Sequence, residues 1–176
     1  MRKTVKCSDG FIGDGKPRIY ISNHTCSRDA IAVLSALDKV RPCMLVSRKR
    51  YEEDFRLRNI NKKRIITAAG GVSTKWLHDA LRRLKNGESL LIFPDDESPP
   101  RDDGFDPAFV LLSLLSGAEM VPLYSAPRHT VFRCLNITAG KPMLPDNTAA
   151  LTAETLKKES ERVKSALHNA DKFTIA

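Results

Sequence analysis

The segment Asn23-His24-Thr25-Cys26-Ser27-Arg28-Asp29 brings an imidazole, a thiol, two hydroxyls and a carboxylate into seven consecutive residues. Histidine takes up and returns a proton near neutral pH, so His24 is the natural candidate for a general base. Asp29 can hold one ring nitrogen as a donor and leave the other free to activate a hydroxyl, as the carboxylate of a serine-protease triad does. In a continuous helix, residues five apart diverge by about 140°. His24 is therefore expected in the turn ahead of a helix that carries Asp29 in its first turn. A purely structural imidazole is the plainer alternative. Cys26 offers either a covalent nucleophile or a small buried filler.

Other reactive groupings carry less. Asp95, Asp96, Glu97, Asp102, Asp103 and Asp106 put six carboxylates into twelve residues. Their spacing lacks the alternating ligands of a calcium loop, and Pro99-Pro100 interrupts it, so no metal is assigned. Gly70-Gly71 with Ser73, Thr74 and Lys75 reads either as an anion-binding helix start or as a turn with a cap. Gly10-x-x-Gly13-x-Gly15 precedes a strand instead of following one, which argues against a dinucleotide site. Cys7, Cys26, Cys43 and Cys134 form no Cys-x-x-Cys pair, so neither zinc nor a disulfide framework is expected, and a reducing cytoplasm fits.

Strand-like and helix-like segments alternate around these groups. Arg18 to Ser22, Pro42 to Ser47, Arg64 to Ala68, Ser89 to Phe93, Met120 to Tyr124 and Val131 to Ile137 read as strands. Ala30 to Val40 is apolar almost all round and predicts a buried helix. Trp76, Leu77, Ala80, Leu81 and Leu84 share a helical face that stops at Gly87. Phe109, Leu112 and Leu115 mark a helix closing at Gly117, and Leu156, Val163 and Leu167 stripe a terminal one. Alternation of this kind predicts an α/β fold, a mainly parallel sheet with helices on its faces, as a single domain over residues 1–176. In such sheets ligands gather beyond the carboxyl ends of the strands, and the first predicted strand runs directly into Asn23-His24.

Composition narrows the classes. The chain of 176 residues is 41% hydrophobic and 28% charged, enough for a core without staples. No apolar run exceeds five residues, against about twenty for a membrane span, and Met1 to Asp14 lacks the apolar stretch of a secretory signal. Lysine and arginine number 29 against 21 acids, net +8. From Arg48 to Arg64 eight bases face three acids, a patch that attracts anionic lipid, an acidic protein or nucleic acid, or is simply solvated. With only Tyr51 and Phe55 as aromatics there and no nucleic-acid module, nucleic acid is not an expected partner.

Asn23-His24-x4-Asp29 resembles the signature of the glycerolipid acyltransferases, the PlsC-like lysophosphatidic-acid acyltransferase superfamily. Further blocks follow in that family's order: Lys85-Asn86-Gly87-Glu88-Ser89, Leu91-Ile92-Phe93-Pro94-Asp95, and Gly117-Ala118-Glu119-Met120-Val121-Pro122-Leu123. The resemblance spans about Pro17 to Tyr124. It implies acyl transfer from acyl-CoA or an acyl carrier protein to a hydroxyl acceptor such as a lysophospholipid or glycerol phosphate, with no further cofactor. His24 becomes the base and Asp29 its orienting partner; Asn23, Asp95, Arg101 and Pro122 become substrate-site candidates. Any membrane contact is then peripheral, on an anionic cytoplasmic face. Where the family carries Glu-Gly-Thr-Arg-Ser, this chain has Asp95-Asp96-Glu97-Ser98-Pro99, which replaces a phosphate-gripping arginine with carboxylates. An acceptor other than glycerol phosphate, or a lipid-binding member without turnover, are the alternatives that this departure raises.

Overall fold

A computed structural model describes residues 3–7, 12–23, 29–68, 74–94, 107–125, 135–146 and 151–172. Its seven strands are β1 (Lys3–Cys7), β2 (Arg18–Ser22), β3 (Cys43–Ser47), β4 (Ile65–Ala68), β5 (Leu90–Ile92), β6 (Glu119–Ser125) and β7 (Leu135–Ala139). They form one sheet in the order β1-β7-β6-β2-β5-β3-β4. All neighbouring pairs run parallel except β6 with β7. The α/β class and the mainly parallel sheet read from the sequence are therefore what the chain adopts.

Helices cover both faces, which is why the central strands are apolar in unbroken runs instead of alternating. On one face α1 (Asp29–Ala36) packs Ala32 and Val33, with Leu37 just beyond it, among Tyr20, Met44, Val46, Leu91, Val121 and Leu123. On the other, α4 (Lys75–Lys85), α5 (Ala108–Ser116) and α6 (Ala153–Lys172) bury Ala80, Leu84, Phe109, Leu112, Val163 and Leu167 against Ile19, Ile21, Leu45, Ile92 and Met120.

Several elements depart from the pattern in the sequence. β1 offers only Val5 and Cys7 as apolar residues and is not expected from the sequence; among the described residues its sheet partner is β7. α1 gives way after Ala36 to tighter turns, because Arg41, at φ 51°, and Pro42 cannot continue a helix. Leu115 is 47% exposed although Phe109 and Leu112 are buried. Six residues at 3.6 per turn leave a side chain about 120° away from the starting face. Ser113 takes the buried position instead, its hydroxyl donating to the Ala118 carbonyl at 2.6 Å. Gly117 then ends α5 at φ 73°, a left-handed conformation that glycine adopts without penalty. At α4, Thr74 makes no side-chain cap, and Ser73 lies outside the described residues.

The basic stretch after β3 is chopped into three short turns by its own capping residues. Ser47 accepts from the Arg50 amide to start α2 (Arg48–Glu53), and Asp54 accepts from Arg56 to start α3 (Phe55–Arg58). Asn61 accepts from Lys63 to start a 3-10 turn over Lys62–Arg64. Leu57 is fully buried beneath it, while Phe55 is 57% exposed with the Arg56 guanidinium 5.0 Å from its ring centre.

Candidate active site at the strand exits

β2, β3, β4, β5 and β6 run parallel, so all five release the chain at the same edge of the sheet. Their exits are Ser22-Asn23, Ser47, Ala68, Phe93-Pro94 and Ser125. Adjacent strands lie about 4.8 Å apart, so groups leaving neighbouring strands are within reach of one ligand.

At the exits of β3, β4 and β5 the structure opens an apolar cleft of about 70 Å3. Its walls are Leu45, Val46, Ser47, Ala68, Trp76, Ile92, Phe93, Pro94, Ala108 and Phe109. The strand ends supply the floor, and the first turns of α4 and α5 supply Trp76, Ala108 and Phe109. Sequence reasoning placed Phe93-Pro94 at a strand end but did not identify this cleft. Trp76 and Phe109 were read only as core positions, and their helical spacing is the same in either role.

β2 lies beside β5, whose exit walls that cleft, and its own exit is Asn23. Asn23 is half-buried, and its carboxamide is held at both ends by one residue. Oδ1 accepts from the Ser125 amide at 2.7 Å, and Nδ2 donates to the Ser125 carbonyl at 3.0 Å. The Ser22 hydroxyl donates to the Asn23 carbonyl at 3.2 Å. α1 is described from Asp29 onward. The Asp29 side chain lies outside the described residues, as do His24, Asp95 and Arg101.

Pro122 is buried in the sheet, paired in register with Ile21 of β2. Its carbonyl accepts from the Gly140 amide at 2.8 Å, but proline has no N–H to return the bond. The antiparallel ladder therefore shifts by one residue. Leu123 faces Ala139, whereas beyond the proline Met120 exchanges two bonds with Met143, a bulge on the segment after β7.

Two polar features lie at the opposite edge of the sheet. Arg18 begins β2 only 3% exposed; its Nε donates to Glu119 at 2.9 Å and its Nη2 to Asp14 at 2.8 Å. The Arg18 hydrogen bonds, helped by the Lys16 amide, hold the Asp14 carboxyl down at about 2. Cys43, at the start of β3, is buried, and burial pushes its thiol up to about 11. That thiol stays protonated at neutral pH and is no nucleophile. Among the described residues no three His, Cys, Asp or Glu side chains converge on a metal-sized site. No described helix is long and apolar enough to cross a membrane.

No protein-family model matches the chain, and no curated protein matches its sequence. Its fold is similar to that of the 1-acyl-sn-glycerophosphate (LPA) acyltransferase PlsC from Thermotoga maritima. The TM-score is 0.62 at 17% identity, over 99% of this chain and 73% of that one. At that identity the likeness is one of architecture.

Proposed function

We propose that the protein is an acyltransferase that moves a fatty acyl group from a thioester to a hydroxyl acceptor, with His24 as general base. The observation that carries this reading is the juxtaposition at one sheet edge. β2 exits at Asn23, the residue before His24 in the chain, beside β5, whose exit walls an apolar cleft, in a fold similar to a PlsC acyltransferase.

An alcohol is a weak nucleophile, and a base within hydrogen-bond reach accelerates its attack by about a hundred- to ten-thousandfold. In the proposed step His24 takes the hydroxyl proton as the new C–O bond forms at the thioester carbonyl. The C–S bond then breaks, and the departing sulfur takes the proton back. Asp29 orients the ring, and free amides at the start of α1 stabilise the oxyanion. The apolar cleft takes part of the acyl chain. Asp95 and Arg101 belong to the acceptor side, where carboxylates in place of an arginine favour an acceptor without a phosphate. Arg48, Lys49, Arg58, Lys62, Lys63 and Phe55 are exposed on the segment that follows the cleft residue Ser47. They suit an anionic donor, free acyl-CoA or an acidic carrier protein, and peripheral contact with an anionic bilayer.

The test is release of free thiol from long-chain acyl-CoA or acyl carrier protein in the presence of a panel of alcohols and lysolipids. Wild-type protein is expected to release thiol only with acceptor present, and a folded His24→Ala variant to lose at least about a hundredfold of that rate. Full transfer by the alanine variant removes His24 from the mechanism. Saturable binding of the thioester with no release for any acceptor replaces catalysis with a lipid-binding role, the reading that the altered Phe93-Pro94-Asp95 block favours.

A further inference from the structure

We propose that Asn23 is a positioning residue whose side chain serves as the last rung between β2 and β6 and thereby sets where His24 leaves the sheet. The inference rests on the acyltransferase reading for its kinetic consequence, but the clamp itself is a property of described residues.

The backbone N–H and C=O of a strand residue point to the same side, and those of Ser125 both face β2. In a parallel ladder they would be satisfied by peptide groups of a continuing neighbour strand. β2 ends at Ser22, and the Asn23 carboxamide supplies both partners instead, its oxygen to the amide and its nitrogen to the carbonyl. A carboxamide has the donor and acceptor geometry of a peptide group, which neither aspartate nor alanine reproduces. Both ends of the Asn23 carboxamide engage Ser125, which supports a scaffold role beside the substrate-site role expected from the sequence.

The register shows what this clamp holds. Ser22 pairs with Leu123 as the final backbone pair of that ladder, and the Asn23 carboxamide on Ser125 follows it. The Ser125 side chain is fully buried, and its hydroxyl has no hydrogen-bond partner among the described residues. Ser125 thus anchors the Asn23 rung through its backbone, at the residue directly before the proposed base in the chain. A base must stand within about 0.5 Å of its productive place, and a 1 Å error costs about a hundredfold.

Asn23→Ala removes both rungs; Asn23→Asp keeps the 2.7 Å acceptor but sets a carboxylate against the Ser125 carbonyl. Three readouts are taken on variants whose thermal unfolding remains cooperative: amide exchange at Ser125, the His24 ring titration by NMR, and kcat and KM for acyl transfer. In Asn23→Ala, Ser125 exchange is expected to accelerate at least about tenfold, the His24 midpoint to move, and kcat to fall about ten- to hundredfold with KM within about threefold. Asn23→Asp should fall between alanine and wild type, and it carries the test if the alanine variant does not fold. Faster exchange with unchanged kcat and an unmoved His24 midpoint overturns the proposal, and so does unchanged exchange. If the wild-type protein transfers no acyl group, the acyltransferase reading fails, while exchange and the His24 titration still decide whether the clamp positions the ring.

Discussion

Arg18 and Asn23 stand five residues apart on one strand and its exit, and each uses a polar side chain to fix one end of β2. At the Arg18 end the fix is ionic, and its signature is a pH dependence. Asp14 titrates at about 2 in the folded protein against its ordinary 3.8. The pair therefore contributes its full stability above pH 3.8, and that contribution is lost as the pH falls through about 2. Urea unfolding midpoints measured from pH 5 to pH 1.5 should show this loss, and Asp14→Asn should flatten it. Cys43 gives a second check on a single side chain. With its thiol at about 11, alkylation at neutral pH, read by mass spectrometry of the peptide bearing it, should occur only when the protein unfolds. The Asn23-His24-x4-Asp29 spacing was legible in sequence because it consists of residue types that can carry proton transfer. The partner of Asn23 was not, because Ser125 lies 102 positions away and enters through its backbone, which any residue possesses.

At the scale of elements, the most exacting contact is between β6 and the turn after β7. A Cβ built on Gly140 falls 2.8 Å from Pro122 Cγ, a rigid ring that cannot swing aside. Gly140→Ala should cost about 1–3 kcal/mol by chemical denaturation, and adding Pro122→Ala should recover part of that, a non-additive cycle between residues in contact. Leu57 is the single apolar anchor among residues 55–58. Leu57→Ala should cost about 2–5 kcal/mol and loosen the basic stretch before the sheet, which proteolysis would detect as early cleavage between Arg48 and Arg64. Strands and helices with dense apolar patterning, such as Arg18–Ser22 and Lys75–Lys85, were readable because burial on both faces or on one stripe writes itself into residue type. β1 was not: Lys3–Cys7 is placed by pairing with β7, and pairing leaves no compositional trace. Helix ends were misjudged where backbone conformation decides, as at Arg41.

For the whole molecule, the parallel run of five strands separates the two polar ends. The Arg18 network and Cys43 lie at strand starts, and the cleft and Asn23 at strand exits. That division was inferable from alternating elements and the rule for open α/β sheets. The cleft walls were not, since Ala68, Trp76 and Ala108 come from three elements whose packing no local pattern encodes. If the cleft holds the acyl chain, Ala108→Phe should lower kcat/KM for long-chain thioesters about tenfold or more while leaving short-chain donors within about threefold, measured by thiol release across a chain-length series.

The pairing of Lys3 with Leu135 also has a consequence for how the chain is made on the ribosome. β1 must wait for its partner until roughly 130 more residues have been translated, about 7 to 26 seconds at about 5–20 residues per second. Throughout that interval the nascent amino-terminal segment has no place in the sheet, so chaperones that bind extended backbone have their best opportunity there, before the last edge closes.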